Sequence, residues 1–230
     1  MSQVVVARHR RPAGRRRQAL AAILAATLLV VLGISAATGA AALPARTCSN
    51  AFFAGDARLG PAQLQDVGAV APMLAGYDRL AGLSVQAFID TYWDPTANGG
   101  SGGWRYPPDN GFLLRPTGQP IEYVAPLGPG TEVDRFGSEF GAFLAPLDTP
   151  YAERALPPMS LDNFDPAYTC NYHVYRVIRR FSAEEGPIAP GFGQIGHGLQ
   201  IELLGSLVPG APSQLNVRWL IDNGYLQRAN

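Results

Sequence analysis

Lysine is absent: all 18 basic side chains among the 230 residues are arginines. That removes Schiff-base and amine-nucleophile chemistry from the functions open to the chain. Histidine and cysteine are nearly as scarce, with three and two copies. His9 falls in a basic N-terminal stretch, and His173, His197, Cys48 and Cys170 are too few and too scattered for a zinc site. No EF-hand spacing and no internal repeat is present, so no metal is expected. An excess of positive charge is missing as well. Six arginines lie between residues 8 and 17, so beyond residue 45 twelve arginines face eighteen acidic residues, a net charge of −6. A chain of that sign is a poor partner for nucleic acid or an anionic membrane surface.

What is present begins with a leader. The basic run from Arg8 to Arg17 precedes an uncharged stretch, residues 18–45, whose apolar heart is 20–32 and which ends in small residues. This is the pattern of a signal peptide spanning residues 1–45. The apolar stretch is also long enough to approach a membrane span, so a retained anchor is the alternative. Arg46 and Thr47 before Cys48 do not make a lipobox. Secretion to an extracellular location, with no membrane association once the leader is removed, is the expectation. In an oxidising compartment the two cysteines predict one disulfide, Cys48 to Cys170.

The remaining residues, about 185, suit a single domain with a real core. Glycine and proline are abundant, 26 and 20 copies, which favours turns and strands over a helical bundle. Residues 46–103 read as an N-terminal helical extension. Within it residues 69–94 form two helical pieces, the second capped by Ser84 and carrying Phe88, Ile89 and Tyr92 on one stripe. The run NGGSGG at 98–103 reads as a flexible hinge. From residue 104 the texture changes to strands, expected at 120–125, 131–136, 142–144, 172–178 and 199–204, with a short helix favoured at 216–221. The predicted class is α+β: helices first, then a mainly antiparallel twisted sheet with long structured loops.

Residues 186–200, GPIAPGFGQIGHGLQ, hold five glycines and two prolines, with a single exposed-looking amide, Gln194, at the centre. Its G-x-G-x-x-G match at 191–196 is not a dinucleotide fingerprint, because prolines precede it and a strand, not a helix, follows. A loop so bare is either built to present Gln194 or is a crowded turn between strands. Arg135, at a strand end before Gly137, and Arg154, where a helix meets Pro157 and Pro158, stand in similarly constrained surroundings. Surface ion pairs with neighbouring acids are the plain alternative for both.

The ordered set YPPDNGF, PGTEVDRFG, AFLAP, ERALPP, YHVYRV, GPIAPGFGQ and LIDNGYL resembles the tuberculosis necrotizing toxin domain family of secreted NAD⁺ glycohydrolases across about residues 104–226. The stretches GDARLGP and GYDRLAGLS further resemble the N-terminal part of the family's fungal surface members. The resemblance implies that residues 104–230 are a domain cleaving NAD⁺, and NADP⁺, to nicotinamide and ADP-ribose, with the dinucleotide as substrate and no cofactor. It implies Gln194 and Arg154 as catalytic residues, with Arg135, Phe143, Phe192 and Tyr106 binding substrate. His173 is the nearest candidate for a histidine that some members use, although its neighbours read as a core strand. An immunity or inhibitor protein and a homodimer are the macromolecular partners left open.

These residue types suit the chemistry. Nicotinamide on ribose is already a cationic pyridinium and leaves neutral, so the enzyme needs a clamp, a slot for the departing ring and a polar group at the ribose. Arginine forks match phosphate oxygens, and aromatic faces form the slot. Two rivals remain at this stage. An ADP-ribosyltransferase breaks the same bond but wants a glutamate at the sugar, and Glu184, Glu185 and Glu202 lie outside the glycine-rich centre. A non-enzymatic exported binding domain consumes no NAD⁺.

Overall fold

The computed structural model describes residues 47–230. The leader read at residues 1–45 lies outside the described residues. Short helices α1 (Val70–Met73) and α2 (Val85–Tyr92) come first. Ser84 caps α2 by accepting from the Ala87 amide, Phe88 is buried, and Ile89 and Tyr92 pack beside it, as the apolar stripe requires.

A two-stranded ribbon follows, β1 (Trp93–Asp94) antiparallel to β2 (Gly103–Trp104), with a single-turn element α3 (Ala97–Gly100) between them. The NGGSGG run is therefore an ordered turn and not a hinge. Asn98 adopts a left-handed backbone and its amide donates to the Gly102 carbonyl at 2.9 Å, closing the ribbon. Gly102 must lack a side chain, since a Cβ there would overlap the Trp93 ring.

Seven strands form the main sheet: β3 (Tyr123–Leu127), β4 (Glu132–Phe136), β5 (Phe143–Pro146), β6 (Tyr172–Val177), β7 (Phe181–Pro187), β8 (Leu199–Glu202) and β9 (Leu226–Arg228). Every pairing is antiparallel, in the order β3-β7-β8-β5-β4-β6-β9. Helix α4 (Tyr151–Arg154) follows β5, and α5 (Val217–Asp222), capped by Asn216, precedes β9. The α+β class stands, and so does the helix favoured near residue 216. Strand β3 begins three residues later than expected because Pro120 is tied up in a bridge to Leu114. Strand β7 was not expected, since Glu184, Glu185 and Pro187 disguise its alternating buried Phe181 and Ala183.

The alternation of side chains gives the sheet two different faces. Val133, Leu144, Tyr175, Ala183 and Ile201 point to one and pack with Val217 and Leu220 of α5. Phe136 and Tyr172 point to the other and share a cluster with Val70, Met73, Tyr151, Leu161 and the cystine. This second cluster draws the N-terminal extension onto the sheet. Among the described residues no helix is long and apolar enough to cross a membrane.

Cys48 and Cys170 form the expected disulfide, closing a separation of 122 residues within the second cluster. Replacing both with serine should cost about 4 kcal/mol, because the unfolded chain loses its largest constraint. Urea unfolding of the non-reduced protein and the double variant measures this, and equal midpoints would show that the extension is held without the bond.

Candidate active site

Strands β4 and β5 pair only at Val133 with Pro146 and Asp134 with Ala145. Beyond that point β4 continues along β6 and β5 continues along β8, so the sheet opens between Arg135–Gly137 on one side and Phe143–Leu144 on the other. A cavity of about 530 Å³ occupies the opening. The turn carrying Tyr106, Asn110 and Gly111 forms a further wall, and Arg154 and Gln200 also line it.

Arg135 spans the split. Alternation groups it with Val133, on the α5 side, but its guanidinium lies in the opening, where Nε donates to the Gly137 carbonyl at 3.1 Å and Nη1 to the Phe143 carbonyl at 2.7 Å. Room for it comes from Gly141, where a Cβ would overlap the guanidinium. Among the described residues no carboxylate lies within ion-pair distance of Arg135. Burial pushes its pKa down from the ordinary arginine value, the mark of a desolvated cation. A guanidinium held by two carbonyls and lacking a counter-charge has the chemistry to receive an anion.

Arg154 also lines the cavity, but its charge is already matched. It is 5% exposed, and its Nη1 sits 2.6 Å from Oδ1 of the fully buried Asp134. Its Nε donates to the Thr149 carbonyl at 2.8 Å, and its guanidinium lies 5.1 Å over the Phe136 ring. Asp134 in turn accepts from the Tyr172 hydroxyl and the Asp148 amide. The ion pair expected as a plain alternative exists, but with Asp134 in place of a surface neighbour, and it is buried. Strands β4 and β6, helix α4 and the turn after β5 meet in it, so it fixes the back wall of the cavity.

Phe143 and Tyr106 both reach the cavity, and Phe136, not singled out from the sequence, supplies a third aromatic. Phe192 does not line it. That ring is buried among Tyr92, Trp104 and Tyr106 and touches Tyr106 edge-on at 5.3 Å, supporting it from behind. His173, on β6, is buried beside Tyr168 and is the register partner of Arg135 on β4, and burial pushes its pKa below the usual imidazole value. It does not line the cavity.

Gln194 is the larger correction. It is 6% exposed and does not line the cavity; its amide donates to the Asp78 carbonyl at 2.7 Å. The glycines around it serve close packing of the loop. Gly198 and Gly196 donate to the Glu153 and Ala152 carbonyls of α4, and a Cβ at Gly193 would overlap Ala81. The loop thus buttresses α4 and the extension, with Gln194 as the tie to the extension.

The amide that does reach the cavity is Gln200, on β8. Its Nε2 donates to the Asn110 carbonyl at 3.0 Å. A carbonyl can only accept, so the NH₂ end of Gln200 must face it and Oε1 is left as an acceptor. Period-two alternation was the available signal: Gln200 and Glu202 share one face of a strand whose other face carries Ile201. Reading 199–204 as simply apolar hid it.

The family model described as tuberculosis necrotizing toxin matches residues 126–229, starting later than the motif resemblance at 104. The conidial surface nicotinamide adenine dinucleotide glycohydrolase of Aspergillus fumigatus is 43% identical over 180 residues, 78% of this chain and 72% of that protein. Among solved structures, tuberculosis necrotizing toxin complexed with its immunity factor aligns with a TM-score of 0.42 and 25% identity, over 56% of this chain and 63% of that one. The chain thus spans less than two thirds of that structure's chain. An Rhs1-CT structure in complex with its cognate immunity protein aligns at 0.31 and 16% identity, over 49% and 80%.

Replacing Asp134 with alanine should lower unfolding free energy by about 3–5 kcal/mol, because it strands the Arg154 charge in a dry wall. Combining Asp134→Leu with Arg154→Met should recover much of that loss, since both desolvated charges are then gone. Urea denaturation of the three proteins is the check; additive losses would mean that the two side chains act independently.

Proposed function

Since the chain belongs to the tuberculosis necrotizing toxin family, we propose that it is an NAD⁺ glycohydrolase whose reaction takes place in the split between β4 and β5. The observation that carries this reading is the pairing, within one cavity, of an unmatched guanidinium with an amide whose orientation is fixed. Arg135 takes the pyrophosphate, Phe143 and Tyr106 flank the nicotinamide, and Gln200 faces the reacting ribose. The C1′–N bond breaks with its electron pair going to the pyridinium nitrogen, which leaves as neutral nicotinamide. Water then bonds to C1′ and releases its proton to solvent.

The leaving group is activated from the start, so neither an acid catalyst nor a further cofactor is required. Gln200 Oε1 accepts from a ribose hydroxyl or from the incoming water, which holds the sugar while positive charge spreads to its ring. Arg154 acts as a fixed cation of the wall, its orientation set by Asp134. NADP⁺ is a second proposed substrate, export through the leader the proposed route, and an immunity or inhibitor protein and a homodimer the proposed associations. Hydrolysis is favoured over ADP-ribosyl transfer because Glu202, the carboxylate nearest Gln200 along β8, is buried and engaged by Asn110.

Fluorescence gain from an etheno-NAD⁺ analogue should follow addition of the secreted protein, with free ADP-ribose and no label on bulk protein. Gln200→Ala should cut kcat on the order of 100-fold with little change in KM. Gln194→Ala should lower stability while leaving kcat within about threefold, because a lost surface-distant tie does not touch the ribose. The opposite ranking of the two variants would return the reacting amide to the glycine loop.

Gly141→Ala tests the clamp. Its backbone needs no left-handed conformation, but the added methyl displaces the Arg135 guanidinium. KM for NAD⁺ should rise at least about tenfold, the scale of one charge-assisted contact to phosphate. An unchanged KM would remove Arg135 from the binding site.

A further inference from the structure

Glu202 is a buried carboxylate that the reaction described above leaves without a part. It is 6% exposed, its Oε1 accepts from Asn110 Nδ2 at 2.9 Å, and its Oε2 has no partner. Its cross-strand neighbours are Phe143 on β5 and Glu184 on β7. Among the described residues no cation pairs with it, and burial raises its pKa above the ordinary glutamate value; the Asn110 bond works against that rise, while Glu184 and Glu122 add to it. A carboxylate kept in such a place is a cost to folding unless the contact it makes is needed.

That contact falls on the same residue that Gln200 grips. Gln200 and Glu202 are two apart on β8 and so project from one face. One holds the backbone carbonyl of Asn110 and the other its side-chain amide. Asn110 sits at the centre of three successive left-handed residues, Asp109, Asn110 and Gly111. A turn of that kind has few intrinsic reasons to hold one geometry: its internal backbone bonds are two, from Gly111 to Pro108 and from Phe112 to Asp109, and the Ala189 amide ties the Gly111 carbonyl on its far side, leaving the Asn110 carbonyl to Gln200. The Gln200 amide therefore takes its orientation from a carbonyl whose place depends on a second anchor.

We propose that Glu202 is a positioning residue for the glycohydrolase site: its carboxylate holds the Asn110 side chain, which places the Asn110 carbonyl, which turns the Gln200 amide so that Oε1 meets the ribose. The role rests on the hydrolase reading of the cavity. The hydrogen bond, and not the negative charge, is what the site uses. Any acceptor at that place serves.

Two substitutions remove the anchor without forcing the turn. Asn110→Gly keeps the left-handed backbone and the carbonyl while deleting the side chain. Glu202→Leu keeps approximate volume and deletes the acceptor. Each should lower kcat for etheno-NAD⁺ on the order of 100-fold, the scale of a misplaced reacting group, with KM within about threefold. The double variant should be no slower than the slower single one, since both cut the same link. Glu202→Gln, which still offers an Oε1 to Asn110, should recover most of the lost kcat. Thermal unfolding of each full chain establishes that all are folded at the assay temperature.

A readout independent of turnover accompanies this. The side-chain NH₂ protons of Gln200, assigned in the NMR spectrum by their loss in Gln200→Ala, should be split and slow to exchange in the wild type and in Glu202→Gln. They should collapse toward free-amide behaviour in Glu202→Leu and Asn110→Gly. Additive kinetic losses, a Glu202→Gln variant as slow as Glu202→Leu, or unchanged Gln200 amide protons would each overturn the proposal. If the wild-type chain releases no nicotinamide, the hydrolase reading falls by itself, and the amide protons decide the positioning role alone.

Discussion

The buried pair between Asp134 and Arg154 is the constraint from which the rest of the cavity follows. A charge pair without water is stable only when its geometry is fixed and its remaining donors and lone pairs are occupied. Here the Thr149 carbonyl, the Tyr172 hydroxyl and the Asp148 amide occupy them. Satisfying those partners fixes the separation between β4, β6 and α4. It also ends β4–β5 pairing where it does, because Asp134 and Ala145 are the last residues in register. The opening beyond them is a consequence of how that pair is housed.

A split in a sheet exposes backbone groups that would otherwise pair, and these need partners. Arg135 meets part of that need, since its guanidinium donates to Gly137 and Phe143 carbonyls on the two sides of the opening. The same donors that close the structural deficit leave a fixed, uncompensated cation facing the cavity. The wall that Arg154 provides and the clamp that Arg135 provides differ only in whether a carboxylate is present, and adjacent residues on β4 supply that difference: Asp134 turns toward Arg154, while Arg135 is left to the cavity.

Much of this was legible in the chain. The Ser84 cap, the apolar stripe of α2, the helix favoured near residue 216, the strands at β4, β6 and β8, and the cystine all rest on local rules that tertiary contacts did not override. Strand β7 was hidden because Glu184 and Glu185, one on each face of the strand opposite Glu202 and Ile201, mask its pattern. The two arginines could be picked out by their constrained neighbourhoods, but nothing local distinguishes a guanidinium with a buried carboxylate from one without. That difference belongs to the register of β4 against β5 and β6, which no single segment encodes.

Gln194 and Gln200 show the limit most clearly. Glycine density marks where backbones come close, and it does so equally for a ligand and for another part of the chain. In this protein the close approach is to α4 and to Ala81, so the amide at the centre of the glycines is a structural tie. The amide that lines the cavity, Gln200, lies where the loop has ended and the strand has begun, on a rigid element whose period places it beside Glu202. A site built on a strand inherits its precision from the ladder on either side, here Gly186 opposite Gln200 and Glu184 opposite Glu202. The glycine-rich segment and the cavity-lining amide are neighbours in sequence, and the first secures α4, whose Arg154 forms the wall facing the second.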